Sequence, residues 1–171
     1  MLCIPLVLLI INSQPEEYIM KLLKCVLFIG LFAFNFGVKA ENNKADKPID
    51  IVVYRSPTCE CCGRWLEHMK QNNFNIKDIV TENVDAIKEK YGVPETLASC
   101  HTAIVDGYVI EGHVPANDIK NLLKSKAKIT GLSVPGMPRG TPGMEVGAKD
   151  PYQVISFDQQ KNTKVFNSYE K

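Results

Sequence analysis

Three cysteines within four residues constrain this chain more than any other feature of its sequence. They lie in Thr58-Cys59-Glu60-Cys61-Cys62-Gly63, between an apolar, β-type run at 49–54 and a helical run at 64–71. A strand that leads into a helix through the Ser56-Pro57 turn places these thiols over the helix N-terminus. There the unpaired backbone N–H groups and the positive end of the helix dipole favour thiolate over thiol. Because thiolates bind soft metals and attack disulfides, the motif predicts a metal site, a redox site, or both.

Residues 1–40 predict a leader and not a folded segment. From Met20, a basic start precedes a short apolar run, and small residues follow as far as Ala40. This is the pattern of a secretory signal peptide cleaved after Ala40, and it predicts a periplasmic protein. The apolar run is shorter than the ~20 residues of a membrane span, so we expect no stable membrane insertion of the mature chain. Because the polar stretch 12–17 interrupts the apolar run 1–11 before this signal begins, we expect translation to start at Met20. A longer natural leader would change nothing downstream.

The mature chain is long enough for one domain with a single core. The full sequence of 171 residues carries 20 basic and 19 acidic side chains. With no basic stripe and no basic amphipathic helix, the sequence argues against nucleic acid and against a membrane surface as partners. We expect a monomer.

Four of the six cysteines belong to the mature chain, and they are Cys59, Cys61, Cys62 and Cys100. An even count in an exported protein ordinarily indicates structural disulfides. Here three of the four are crowded into one turn, where a bridge would close a very short loop and add little stability. Structural bridges alone are therefore a poor explanation of this pattern.

The pattern of apolar residues predicts an α/β, thioredoxin-like domain at 49–128, after a flexible segment at 41–48. Its predicted strands are 49–54, 74–80, 102–105 and 108–112, and its predicted helices are 64–71, 83–91 and one that opens at 113–117. The resulting order is β-α-β-α-β-β-α. A dithiol turn between the first strand and the first helix of that order is the thioredoxin arrangement.

Residues 129–171 are predicted to form a C-terminal extension that packs on this domain. The stretch 129–149 is too rich in glycine and proline for helix or strand. The runs 152–157 and 163–166 then predict a closing β-hairpin. The two methionines of the glycine- and proline-rich stretch, Met137 and Met144, belong to no apolar stripe.

Cys59 and Cys62 form a C-x-x-C pair, whose spacing places both sulfurs on one side of the helix start. This is the geometry of a thiol–disulfide oxidoreductase with these two residues as the catalytic redox pair. Two features argue against it. Cys61 would compete for disulfide exchange, and Cys100 stands before the third strand, where such oxidoreductases carry a cis proline that guides the substrate peptide. The sequence therefore favours a metal over a substrate disulfide.

Thiolates with nearby thioethers select Cu(I) among the metals met outside the cytoplasm. The candidate copper ligands are Cys59, Cys61, Cys62 and Cys100, with Met137, Met144 and His113 as auxiliary ligands. A zinc Cys₄ site would suit the thiols equally well, but it usually draws on two separated C-x₂₋₄-C pairs. The methionines can equally fill gaps in packing, and His113 is more simply explained as a cap of the following helix. His101 should point away from Cys100 if the segment is extended, because successive side chains then alternate.

The C-x-C-C motif resembles the signature of a predicted metal-binding family, the CopG family of exported copper-resistance proteins of Gram-negative bacteria. The segments 99–101, 112–116 and 135–138 also look like that family, and the match covers roughly residues 49–166. The resemblance implies a thioredoxin-like domain whose C-terminal extension contributes to metal binding. It also implies a cysteine-bridged multinuclear copper cluster that interconverts Cu(I) and Cu(II) during copper detoxification. The four thiols of the mature chain match those of the family, whereas Met137 and Met144 match its auxiliary ligands only loosely.

Three functions follow as hypotheses. The first is a periplasmic copper-binding protein of copper resistance, whose Cu(I)/Cu(II) chemistry would make it a copper oxidoreductase. The second is a thiol–disulfide oxidoreductase that uses Cys59 and Cys62, and the third is a passive copper carrier. The expected partners are copper and periplasmic copper efflux or carrier proteins.

Overall fold

The computed structural model describes residues 47–170. The predicted leader, the predicted start at Met20 and most of the expected flexible segment at 41–48 lie outside the described residues. Within 47–170, the chain is a mixed α/β structure with three α-helices and one seven-stranded sheet. No helix in this part of the chain has the length and apolar character that crossing a membrane requires.

The helices are α1 (Glu60–Gln71), α2 (Val84–Lys90) and α3 (Ala116–Ser125). The strands are β1 (Ile49–Arg55), β2 (Phe74–Val80), β3 (His101–Val105), β4 (Tyr108–Glu111), β5 (Gly131–Ser133), β6 (Tyr152–Phe157) and β7 (Thr163–Tyr169). A 3-10 helix of one turn, Glu95–Leu97, leads towards β3. Up to the end of α3, the α-helices and strands follow one another in the predicted order β-α-β-α-β-β-α.

The strands lie in the order β2-β1-β3-β4-β5-β6-β7. β1 pairs with β2 in parallel and with β3 in antiparallel orientation, and β3 and β4 form an antiparallel hairpin. The hairpin β6–β7 joins the same sheet through β5, which runs parallel to β4 and antiparallel to β6. The segment 129–171 therefore extends the sheet of the preceding segment.

The prediction that 129–149 contains no strand is wrong at Gly131–Ser133, which form β5. Gly131 is what allows this pairing: a Cβ there would lie 2.8 Å from the carbonyl carbon of Val109 on β4. Because glycine has no side chain, the two backbones can approach closely, and sheet pairing outweighs the low strand propensity of the segment. The rest of the stretch, 134–149, is irregular as expected.

Buried residues pack on both sides of the sheet at β4. Trp65 and Met69 of α1 and Ile119 of α3 are fully buried in the main core cluster, together with Ile110 of β4. The neighbouring residue Val109 belongs to a second, smaller cluster. Because successive side chains of a strand point to opposite faces, these two clusters lie on opposite sides of β4.

Candidate metal centre

The first turn of α1 carries the cysteine motif. The helix begins at Glu60, earlier than the run 64–71 predicts, so Cys61 and Cys62 are helical and Cys59 occupies the N-cap position. The preceding turn is fixed by a hydrogen bond from the Cys59 amide to the Ser56 carbonyl at 3.2 Å. The motif thus lies at the positive end of the helix dipole, which stabilises thiolates.

Cys100 reaches this turn because of the strand register. β3 pairs with β1 so that His101 lies opposite Arg55, the last residue of β1. The residue before β3 therefore lies beside the turn that follows β1. As a result, the sulfurs of Cys59, Cys61, Cys62 and Cys100 all lie within 4.8 Å of one another.

Two of these four sulfurs are joined and two are free. Cys59 and Cys62 form a disulfide, whereas Cys61 and Cys100 are thiols. The sulfur of Cys61 lies 3.5 Å from that of Cys59, and the sulfur of Cys62 lies 3.9 Å from the carbonyl oxygen of Cys100. Burial raises the pKa of the Cys100 thiol to about 12, and the proximity of Cys61 adds to this effect. Cys100 is therefore a protonated thiol at neutral pH unless a cation takes the place of its proton.

His113 presents a ring nitrogen to Cys100. Its Nε2 lies 3.0 Å from the Cys100 sulfur, and its Nδ1 lies 2.7 Å from the carbonyl oxygen of Pro142. Because a carbonyl only accepts hydrogen bonds, this contact assigns the proton to Nδ1 and leaves a lone pair on Nε2 in the neutral ring. Burial lowers the pKa of His113, which favours this neutral form. The ring can therefore accept a hydrogen bond from the Cys100 thiol or bind a metal.

His101 also faces Cys100, and the prediction that it points away is wrong. Its Nδ1 lies 3.3 Å from the Cys100 sulfur. The alternation argument fails because Cys100 occupies a bend just before β3 and not an extended position. His101 is fully buried, with its ring 4.3 Å from that of Trp65, and burial lowers its pKa well below the usual value. Its Nε2 has no hydrogen-bond partner among the described residues.

The segment 137–143 packs against the start of α1. The sulfur of Met137 lies 3.8 Å from that of Cys61, and this side chain remains 52% exposed. Arg64 donates a hydrogen bond from Nε to the Gly143 carbonyl at 2.7 Å. Of the three auxiliary candidates, His113 and Met137 thus lie beside the thiols. The hydrogen bonds of Met144 described by the structure are all made by its backbone, to Gly140, Thr141 and Val146.

The donor atoms fit a soft metal ion. They form two groups that share Cys100: one contains the four cysteines, and the other contains Cys100 with His101 and His113. Thiolate sulfur and neutral imidazole nitrogen are ligands for Cu(I) and zinc, whereas hard cations prefer oxygen. With the Cys59–Cys62 bond reduced, the centre would offer four thiolates and at least one imidazole.

Two solved structures share this fold, and both are described as copper resistance protein CopG. The first, form 2, is 42% identical in sequence, with a TM-score of 0.70, and the match covers 72% of this chain and 100% of that chain. The second, form 1, is 41% identical, with a TM-score of 0.70, and the match covers 73% of this chain and 100% of that chain. This chain belongs to the CopG family. The resemblance inferred from the C-x-C-C motif is therefore confirmed.

A narrower match adds to the CopG relationship. Residues 97–144 match a family described as a protein of unknown function, DUF411. That segment includes Cys100, both histidines of the site and Met137, so it spans the parts of the centre that lie outside the cysteine turn. No curated protein sequence matches the chain.

Sequence reasoning missed three contributors to the CopG-like centre. Pro142 fixes the tautomer of His113 through its carbonyl group, and Gly143 allows the extension to contact α1. Ser99 holds the chain next to Cys100 through hydrogen bonds to Glu111 and Gly136. Both Pro142 and Gly143 lie in the glycine- and proline-rich stretch 129–149, but backbone contacts of this kind leave no pattern of residue types.

Proposed function

We propose that this chain is a periplasmic copper-binding protein of copper resistance that holds Cu(I) in a cysteine-thiolate site. The observation that carries the proposal is the convergence of four sulfurs, from Cys59, Cys61, Cys62 and Cys100, within 4.8 Å. Thiolates are soft ligands that select Cu(I). The name of both similar structures, copper resistance protein CopG, supports copper over zinc.

His113 and Met137 would complete the site. The Nε2 lone pair of His113 is directed at Cys100, and the sulfur of Met137 lies beside Cys61. Because thiolates can bridge two metal ions, four adjacent thiolates suit a multinuclear cluster. Met144 remains an auxiliary candidate on sequence grounds alone. In this role copper would be the cargo of the protein and not a resident cofactor.

Copper loading would require prior reduction of the site. The Cys59–Cys62 disulfide must take up two electrons and two protons to give two thiols, and copper then displaces the protons. Once the site is loaded, each Cu(I) oxidised to Cu(II) would pass one electron to an external acceptor, and the reverse step would consume one. This exchange would make the protein a copper oxidoreductase that works with periplasmic copper efflux or carrier proteins.

The fold supports a division of the chain into two segments that both contribute to the metal site. We assign a thioredoxin-like, metal-binding domain to 49–128 and a C-terminal extension to 129–171. The order of elements and the orientations of β1 to β4 support the first assignment. The extension supplies Met137 and the Pro142 carbonyl, so metal binding would need both segments.

Copper content tests the proposal. The full-length chain and its variants are produced in copper-supplemented cells, and copper per chain is measured by elemental analysis. Several copper ions per wild-type chain are expected, with most of them lost in Cys61→Ser and in Cys100→Ser. Cys25→Ser, which lies in the predicted leader, is the matched control and should leave the copper content unchanged. Full copper content in Cys100→Ser would rule out the four-sulfur site.

The Cys59–Cys62 disulfide favours a second candidate, a thiol–disulfide oxidoreductase. That function predicts that Cys61→Ser keeps disulfide reductase activity, whereas Cys59→Ser abolishes it. The copper proposal predicts the loss of copper in both variants. A passive carrier, the third hypothesis, would bind copper without catalysing any change in its oxidation state. Copper oxidation assays on the loaded protein would then show no turnover.

A further inference from the structure

A buried ion pair lies behind the segment that carries Cys100. Lys88 of α2 and Glu111 of β4 are in contact through Nζ and Oε1 at 2.6 Å, and their side chains are 10% and 0% exposed. Removing two charges from water carries a large desolvation cost, and apolar residues of similar volume often stabilise a core equally well. Stability alone therefore gives a weak reason for this pair.

The Glu111 carboxylate binds the backbone next to Cys100. Its Oε1 accepts a hydrogen bond from the Ser99 amide at 2.6 Å, in addition to the one from Lys88. Its Oε2 accepts a hydrogen bond from the Thr102 hydroxyl at 2.6 Å, and Lys88 also donates to that hydroxyl at 3.1 Å. The carboxylate thus contacts residues on both sides of Cys100 in the sequence.

Ser99 links this carboxylate to the other parts of the centre. Its hydroxyl donates a hydrogen bond to the carbonyl of Gly136, the residue before Met137. Gly112, the residue before His113, passes so close that a Cβ there would lie 2.6 Å from the Cβ of Ser99. The segments that lead to Cys100, Met137 and His113 therefore meet around Ser99. The Ser99 amide is in turn held by the Glu111 carboxylate.

We propose that Glu111 is a positioning residue that fixes the sulfur of Cys100 among the other donor atoms. Its partner in this role is the Ser99 amide, and Lys88 neutralises the buried carboxylate so that the carboxylate can accept that hydrogen bond. The inference rests on the proposed copper site, but it concerns the protein before copper binds. It therefore has a readout that needs no copper.

Two double variants of the full-length chain separate positioning from stability. Lys88→Met/Glu111→Gln removes both charges but keeps an acceptor for the Ser99 amide. Lys88→Met/Glu111→Leu removes the charges and the acceptor together. The rate of Cys100 alkylation by iodoacetamide is measured by peptide mass spectrometry in copper-free protein, beside the free energy of unfolding. We expect the Gln variant to match the wild type, and the Leu variant to react about three- to tenfold faster, the range corresponding to one hydrogen bond.

Equal alkylation rates in the two double variants would overturn the proposal. So would an increase in the Cys100 alkylation rate that is fully explained by the decrease in the free energy of unfolding. If the Leu variant does not fold, amide hydrogen exchange in the wild type decides. The Ser99 amide should then exchange as slowly as the buried Gly112 amide, which donates to the His101 carbonyl just after β4. Exchange as fast as that of the exposed Gly147 amide would overturn the proposal. If the wild-type chain binds no copper, the proposed copper site is refuted, but the alkylation and exchange results still test the positioning role of Glu111.

Discussion

Replacing Gly143 by alanine should separate the extension from the cysteine-bearing helix. Gly143 has φ +86°, and a Cβ there would lie 2.7 Å from the Trp65 amide nitrogen and 3.0 Å from the Cys61 carbonyl oxygen. Both neighbours are backbone atoms of α1, so neither can rotate away. A left-handed conformation costs an alanine about 1–2 kcal/mol, and overpacking adds about 1–3 kcal/mol. We therefore expect Gly143→Ala to lower the free energy of unfolding by about 2–5 kcal/mol.

Gly147→Ala is the matched control for this prediction. Gly147 has φ +72°, but no atom lies within 4 Å of the position of its Cβ, so only the backbone term of about 1–2 kcal/mol applies. Urea denaturation of both variants measures the difference. Because Pro142 binds His113, we also expect Gly143→Ala, and not Gly147→Ala, to lose copper. Equal losses of stability in the two variants would refute the close contact between Gly143 and α1.

Burial lowers the pKa of all three histidines below 6.5, so the unfolded state binds more protons in acid. The stability that depends on neutral histidines is complete above about pH 6.5 and is lost as the pH falls through the folded-state pKa values. Urea denaturation should therefore show a lower free energy of unfolding at pH 5 than at pH 7.5. Equal values at the two pH values would contradict this prediction. Met137→Leu should lower copper content with little change in stability, whereas Met69→Leu, in the core, should cost up to about 1.5 kcal/mol and leave copper content unchanged. Tyr169→Phe removes a 2.7 Å hydrogen bond to the buried Asp118 and should cost about 1–3 kcal/mol in thermal or urea denaturation. Tyr152→Phe, which keeps the stacked ring pair, should cost much less, and equal costs would count against the role of Asp118.

The sequence predicted the elements whose residues carry a local signal. Alternating and β-branched runs gave β1 to β4, and the strand-turn-helix pattern placed the C-x-C-C motif at a helix start. The same motif led to the CopG family, which the similar structures confirm. These features depend on near neighbours in the chain, so their residue types are enough to predict them.

Tertiary structure decided which distant groups meet at the motif. β5 exists because Gly131 lets two backbones approach closely, and no local pattern announces such a pairing. His101 faces Cys100 because the chain bends before β3, which the alternation of an extended strand could not predict. The spacing of the cysteines is enough to predict a cluster of thiols at the helix start. The orientation of His113 depends instead on the Pro142 carbonyl, and the anchoring of Cys100 depends on Glu111. Backbone carbonyls carry no sequence signal, and a carboxylate far along the chain acquires its partner only when the sheet forms.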